Sequence, residues 1–153
     1  MTDDEIVEAI NSQPSAQIVL TGGEPSLFID REFIDHLHTH TGLPVAIETN
    51  GTKVLPAGID WITVSPKTGM SSIGDASIKV ERADELKVVD VGQDLCPYLS
   101  LPCVTEKTVF LLQPCYVDDP EEREKNTRRT IRRVMENPRW RLSLQTHRII
   151  GVK

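Results

Sequence analysis

Clustered cysteines are what this sequence most plainly lacks. Its three, Cys96, Cys103 and Cys115, are odd in number and far apart. That excludes a disulfide framework and any close-spaced metal motif. A basic excess is also missing. The formal net charge is −6, which excludes the electrostatic footprint of a nucleic-acid binder and leaves an anionic membrane surface without attraction. No apolar run approaches the length of a membrane span. The opening Met1-Thr2-Asp3-Asp4-Glu5 is acidic, so it has no positive n-region of a secretory signal. These absences predict a cytoplasmic protein with no membrane or nucleic-acid partner. What is present, 153 residues with 39% hydrophobic and 26% charged, suits one domain with a buried core rather than a disordered chain.

Hydrophobic periodicity gives an alternating order of elements. Thr2 and Glu5 form a capping-box pattern, and Ile6, Val7 and Ile10 continue it as a helical stripe. Residues 17–21 read as a short strand stopped by Gly22-Gly23. Asp30 caps a helix carrying Phe33, Ile34 and Leu37 and ending at Gly42. Residues 45–49, 61–65, 87–91 and 108–113 read as further strands, and residues 92–106 as an irregular loop. Asp119-Pro120-Glu121-Glu122 starts a long helix that reaches about Asn137. On it, Ile131, Val134 and Met135 are the expected buried side, and Arg128, Arg129, Arg132 and Arg133 the wet face. Residues 140–147 alternate and read as a last strand, with Trp140, Leu142, Leu144 and Thr146 on one side. The order predicts an α/β fold with a mainly parallel sheet, in which ligands sit at the carboxyl ends of the strands.

The unusual residues fall at those ends. Thr21-Gly22-Gly23-Glu24-Pro25 follows the first strand, where two glycines let a ligand approach the backbone closely. Glu48-Thr49-Asn50-Gly51 ends the second, and alternation places Glu48 with Asn50 opposite Ile47 and Thr49. A charge there needs a partner. Ser65-Pro66-Lys67 sets a hydroxyl and an ammonium two residues apart. Gln113-Pro114-Cys115-Tyr116 follows the fifth apolar run, and Leu144-Gln145-Thr146-His147-Arg148 lies near the chain's end. Gly23, Ser65, Lys67 and Gln113 are expected to face one cleft.

In this order, from residue 17 to Lys153, these five constellations resemble the 7-carboxy-7-deazaguanine synthases of the radical S-adenosylmethionine superfamily. The resemblance implies an incomplete parallel β/α barrel, lacking its first strand and cluster loop, that forms a single domain over residues 1–153. This would be the C-terminal two-thirds of the family domain. It implies an S-adenosylmethionine site made by Gly22, Gly23, Glu24, Glu48, Ser65, Pro66, Lys67, Gln113, Pro114, Cys115 and Tyr116. Thr21, His147 and Lys153 would meet a pterin substrate. The implied reaction contracts the ring of 6-carboxy-5,6,7,8-tetrahydropterin to 7-carboxy-7-deazaguanine with release of ammonia, a step of queuosine biosynthesis. A homodimer is the usual assembly of that family.

The family also carries a [4Fe–4S] cluster on a Cys-x-x-x-Cys-x-x-Cys loop, and uses Mg2+. Nothing in the present sequence has that spacing, so no metal ligand is expected in this chain and the chain alone is expected to be inactive. An activating enzyme for glycyl radical proteins shares Gly-Gly-Glu but not the Ser-Pro-Lys or Gln-Thr-His segments. A cluster-free binding or structural module, its glycines serving only turns, is the alternative from another class. His36, His38 and His40 are expected to be solvated at a helix end.

Overall fold

The computed structural model describes residues 1–67 and 77–152. The capping box forms as the sequence predicts. The Thr2 side chain accepts from the Glu5 N–H at 3.3 Å, and the Glu5 carboxylate accepts from the Thr2 N–H at 2.7 Å. These bonds start helix α1 (Asp3–Asn11). Strand β1 (Ile18–Leu20) and helix α2 (Arg31–Thr41) follow. Asp30 caps α2 by accepting from the Phe33 N–H at 2.8 Å, and Gly42 ends it in a left-handed conformation, φ 67°.

Four more strands are β2 (Val45–Thr49), β3 (Trp61–Val64), β4 (Glu85–Asp90) and β5 (Val109–Pro114). Helix α3 (Pro120–Glu136), strand β6 (Trp140–Leu142) and the short helix α4 (Thr146–Ile149) complete the chain. The predicted irregular loop contains one 3-10 segment, Cys96–Ser100.

The six strands among the described residues are all parallel and lie in chain order, β1-β2-β3-β4-β5-β6. A doubly wound sheet reverses its strand order at a switch point; no reversal occurs here. Because strand side chains alternate, the register sorts residues into two rows-of-rows. On one face Ile18, Val45, Ile47, Ile62, Val64, Leu86, Val88, Phe110, Leu112 and Trp140 are all buried, joined by Ile34 and Leu37 of α2. Each large side chain so buried stabilises the fold by about 1.5–3 kcal/mol. The other face carries Glu48, Thr63, Glu85, Lys87, Gln113 and Arg141, and its Val19 and Trp61 stand 45% and 44% exposed. Parallel sheets are normally covered on both faces; among the described residues this one is covered on one.

Three expectations need correction. The last strand does not reach residue 147. Ser143 N–H still donates to the Leu112 carbonyl at 2.9 Å, but the next donor on β5 would be Pro114, which has no N–H. The chain turns there, and Thr146 and His147 open α4 instead.

The long helix does not bury Ile131 and Met135, which are 41% and 80% exposed. Its buried residues are Asn126 and Thr130. Asn126 donates to the Cys115 carbonyl at 3.1 Å, and Thr130 turns toward the fully buried Asp90, whose carboxylate accepts from the Thr130 hydroxyl at 2.7 Å and the Gly92 N–H at 3.0 Å. Arg133 also bonds that carboxylate, and Arg129 donates to the Asp90 carbonyl at 2.8 Å. Two arginines read as solvated are therefore structural.

Of the helix α2 histidines, His40 is exposed as expected, but the other two are not freely solvated. His36 and His38 are half-buried, with Asp4 at 3.1 Å and Asp60 at 3.0 Å.

Burial opposes ionisation of Asp90, but the bonds from Thr130 and Gly92 and the two guanidinium charges outweigh it and hold its carboxyl below the usual range. A depressed carboxylate contributes stability above its unfolded value, about pH 3.9, that is lost as pH falls through the folded one. Asp90→Ala leaves Arg133 without its buried partner and is expected to cost about 3–5 kcal/mol in urea unfolding at neutral pH. Its deficit should shrink in acid.

Candidate functional site

Sequential parallel strands deliver all their carboxyl ends to one rim. The β1 end is a Gly-Gly turn. Gly22 has φ 125°, which L side chains rarely adopt, whereas Gly23 has no positive φ and a Cβ built on it meets nothing within 4 Å. Backbone conformation thus explains Gly22, while neither conformation nor packing explains Gly23 among the described residues.

Glu24 turns inward. Its carboxylate accepts from the Thr49 hydroxyl at 2.5 Å, the Asn50 N–H at 2.8 Å and the Ser26 hydroxyl at 2.7 Å. Burial works against its ionisation, but these bonds prevail and lower its pKa. Glu24 therefore ties the end of β1 to the end of β2, and acts by shaping the loop.

Gly51 closes the β2 end at φ 79°, with an added Cβ only 2.9 Å from Val64 Cγ1. Ser65 N–H donates to the Thr49 carbonyl at 2.8 Å, which extends the β2–β3 ladder and places Ser65 beside Glu48's strand. Pro66 is buried, while Ser65 and Lys67 are half-buried.

On the uncovered face these ends enclose a polar cleft of about 440 Å³. Glu48, Ser65, Lys67, Lys87, Val89, Gln113 and residues 143–147 line it. Lys87 Nζ donates to Glu48 Oε1 at 2.7 Å. The neighbouring Glu85 is pushed up in pKa by burial. Lys87 and the Thr63 hydroxyl pull it down, and the Glu48 charge adds to the upward shift.

A second hollow of about 390 Å³ shares the wall formed by Gln113, Leu144 and Gln145. It is lined by Pro114, Cys115, Tyr116, Arg123, Thr127, Arg148 and Ile149. Arg148 stacks 3.9 Å from the Tyr116 ring centroid, with Arg123 at 5.3 Å, and Asn126 holds the Cys115 carbonyl at 3.1 Å.

Of the residues singled out in the sequence, Glu48, Ser65, Lys67, Gln113 and His147 therefore share one cleft. Pro114, Cys115 and Tyr116 line its neighbour. Thr21, Gly22, Gly23 and Glu24 are not in either lining, and Thr21 borders a separate hollow with Met1, Ile6 and Phe28. Lys153 lies outside the described residues. Sequence reading missed Glu85 and Lys87. Their signal was available: two charges spaced by two, alternating with Leu86 and Val88, inside a strand of a buried sheet.

The donor set does not fit an iron–sulfur cluster. Cys103 is buried in the core, Cys96 is exposed at the start of the 3-10 segment, and Cys115 follows β5. Among the described residues no three His, Cys, Asp or Glu side chains are grouped to hold a metal ion, and no helix is long and apolar enough to cross a membrane.

A group whose folded pKa is raised contributes stability below its unfolded value, about pH 4.3 for Glu, that is lost as pH rises through the folded one. Glu85→Gln is accordingly expected to raise Tm relative to the parent chain at pH 8 by more than at pH 4.5, in parallel thermal melts.

No family model matches the chain. Curated relatives do. The 7-carboxy-7-deazaguanine synthase of Bacteroides thetaiotaomicron is 46% identical over 153 residues, covering 100% of this chain and 74% of that protein. The one from Nitratidesulfovibrio vulgaris is 46% identical over 137 residues, 88% of this chain and 58% of its own. That of Bradyrhizobium diazoefficiens is 40% identical over 154 residues, covering 97% and 68%. Identity at this level, over nearly the whole chain and more than two thirds of the length of the Bacteroides and Bradyrhizobium proteins, means that the chain belongs to the 7-carboxy-7-deazaguanine synthase family.

Proposed function

We propose that these 153 residues are the S-adenosylmethionine- and pterin-holding part of a radical enzyme. Its reaction would contract 6-carboxy-5,6,7,8-tetrahydropterin to 7-carboxy-7-deazaguanine with release of ammonia. The observation that carries this reading is the polar cleft on the uncovered face, where Glu48, Ser65, Lys67, Gln113 and His147 meet at the strand ends. The half-open sheet supports a partial barrel, since a barrel's inner face is the one that helices leave bare. Relatives bearing the synthase name support 7-carboxy-7-deazaguanine as the product.

The cleft's chemistry suits such ligands. Ser65 and Gln113 offer neutral donors and acceptors, Lys67 a cation for a carboxylate, and Glu48 an acceptor for amino or hydroxyl groups. His147, on α4 across the cleft, is positioned to hydrogen-bond a second ligand beside the first. When bound, S-adenosylmethionine is the group from which the family draws its radical. The chain's own residues orient the ligands and exclude water. Because the donor set does not fit a cluster, no step is assigned to one. The chain alone is proposed to be inactive in ring contraction.

Two measurements test this. Equilibrium dialysis should show S-adenosylmethionine binding by the chain. Gly23→Val should weaken that binding about tenfold, roughly 1.4 kcal/mol, with Tm unmoved, because the new side chain enters space that only a ligand would use. Equal binding by both proteins would remove Gly23 from the site. Anaerobic incubation with iron and sulfide should leave the chain without the broad visible absorption of a cubane cluster and without release of 5′-deoxyadenosine. Either signal from these residues alone would overturn the proposed inactivity.

A further inference from the structure

The uncovered sheet face carries a polar and charged row that links the motif residue Glu48 to residues outside every strand-end motif. Glu48 on β2, Thr63 on β3 and Glu85 on β4 are lateral neighbours in register, and Lys87 follows Glu85 on the same face. Lys87 lies largely buried, its side chain 18% exposed, while Glu48 is 43% exposed at the cleft wall. The ammonium has two carboxylates within reach but makes its short bond, 2.7 Å, to Glu48 Oε1. Glu85 is turned to the Thr63 hydroxyl at 3.4 Å. Among the described residues only Oε1 of Glu48 is so engaged, which leaves Oε2 for a ligand. An unpaired glutamate with three rotatable bonds samples many rotamers; one fixed through Oε1 from below does not.

We infer that Lys87 is a positioning residue for the cleft: it holds Glu48 in one rotamer with Oε2 presented to a ligand's ammonium or hydroxyl group. This rests on the proposed cofactor reading for the ligand's identity, but not for the side-chain geometry. Lys87 itself need not touch the ligand. Its depth below Glu48 lets it neutralise the carboxylate's field partially without removing its capacity to accept.

The test uses the full 153-residue chain and the variants Lys87→Arg, Lys87→Met, Glu48→Gln and the double variant Glu48→Gln/Lys87→Met. Two readouts are taken. The first needs no ligand: the separation of the two Glu48 γ-proton NMR shifts, which persists for a fixed side chain and collapses for an averaging one. The second is equilibrium dialysis with S-adenosylmethionine. Parent and Lys87→Arg should keep the separation, and Lys87→Met should lose it. Lys87→Met should also bind about tenfold more weakly, Lys87→Arg should recover most of that loss, and the double variant should bind no worse than Glu48→Gln.

Retained separation in Lys87→Met overturns the inference, as does additive loss in the double variant, which would mean that Lys87 meets the ligand directly. If no variant binds S-adenosylmethionine yet the separation behaves as stated, the positioning role stands and the cofactor reading falls. If Lys87→Met is too unstable to measure, failure of Lys87→Arg to keep the separation overturns the inference by itself.

Discussion

Strict parallel order is the constraint from which the rest of this molecule follows. With six strands running the same way in chain sequence, every strand-to-loop exit falls on one rim, and residue parity alone decides which side chain is core and which faces the cleft. Leu86 and Val88 bury while Glu85 and Lys87 between them do not. The motifs at residues 48, 65, 67 and 113 are distant in sequence, yet they need no further device to meet, because register brings them together.

Register does not hold the exits in place, and here inward carboxylates do the work. Glu24 joins the exit of β1 to that of β2 through Thr49 and Asn50. Asp90, at the exit of β4, gathers Thr130 and Arg133 of α3 and the Gly92 N–H. Both carboxyls stay ionised against burial because hydrogen-bond donors surround them. The two are alike in chemistry and differ in what they join: one ties two strand exits together, and the other anchors a helix to the sheet.

How far the sequence foretold this depended on whether a decision was local. Strand β2 was legible to the residue, since Pro44 precedes it and Asn50-Gly51 ends it. The caps of α1, α2 and α3 were legible for the same reason: cap and capped N–H lie three residues apart. The end of β6 was not, because it depends on Pro114 in the neighbouring strand. The buried side of α3 was not, because apolar periodicity cannot reveal that a carboxylate from β4 recruits Thr130 and Arg133. The start of β4 was missed by two residues, and Glu85 with it, because pairing with β3 and β5 rather than composition admits a glutamate there. In the candidate site, motifs at strand ends were readable, whereas the charges inside β4 were not recognised.

The alternation along β4 has a bearing on how such a chain can diverge. Exchanging Leu86 for another aliphatic side chain disturbs a few contacts, whereas deleting one residue from β4 turns the whole strand over. Asp90 and the leucine and valine of the core would then face the cleft, and Lys87 would enter the apolar layer. A change of strand length is therefore far costlier to this fold than a change of aliphatic side chain. Insertions and deletions are admissible only in connections such as residues 92–106, where no parity is kept.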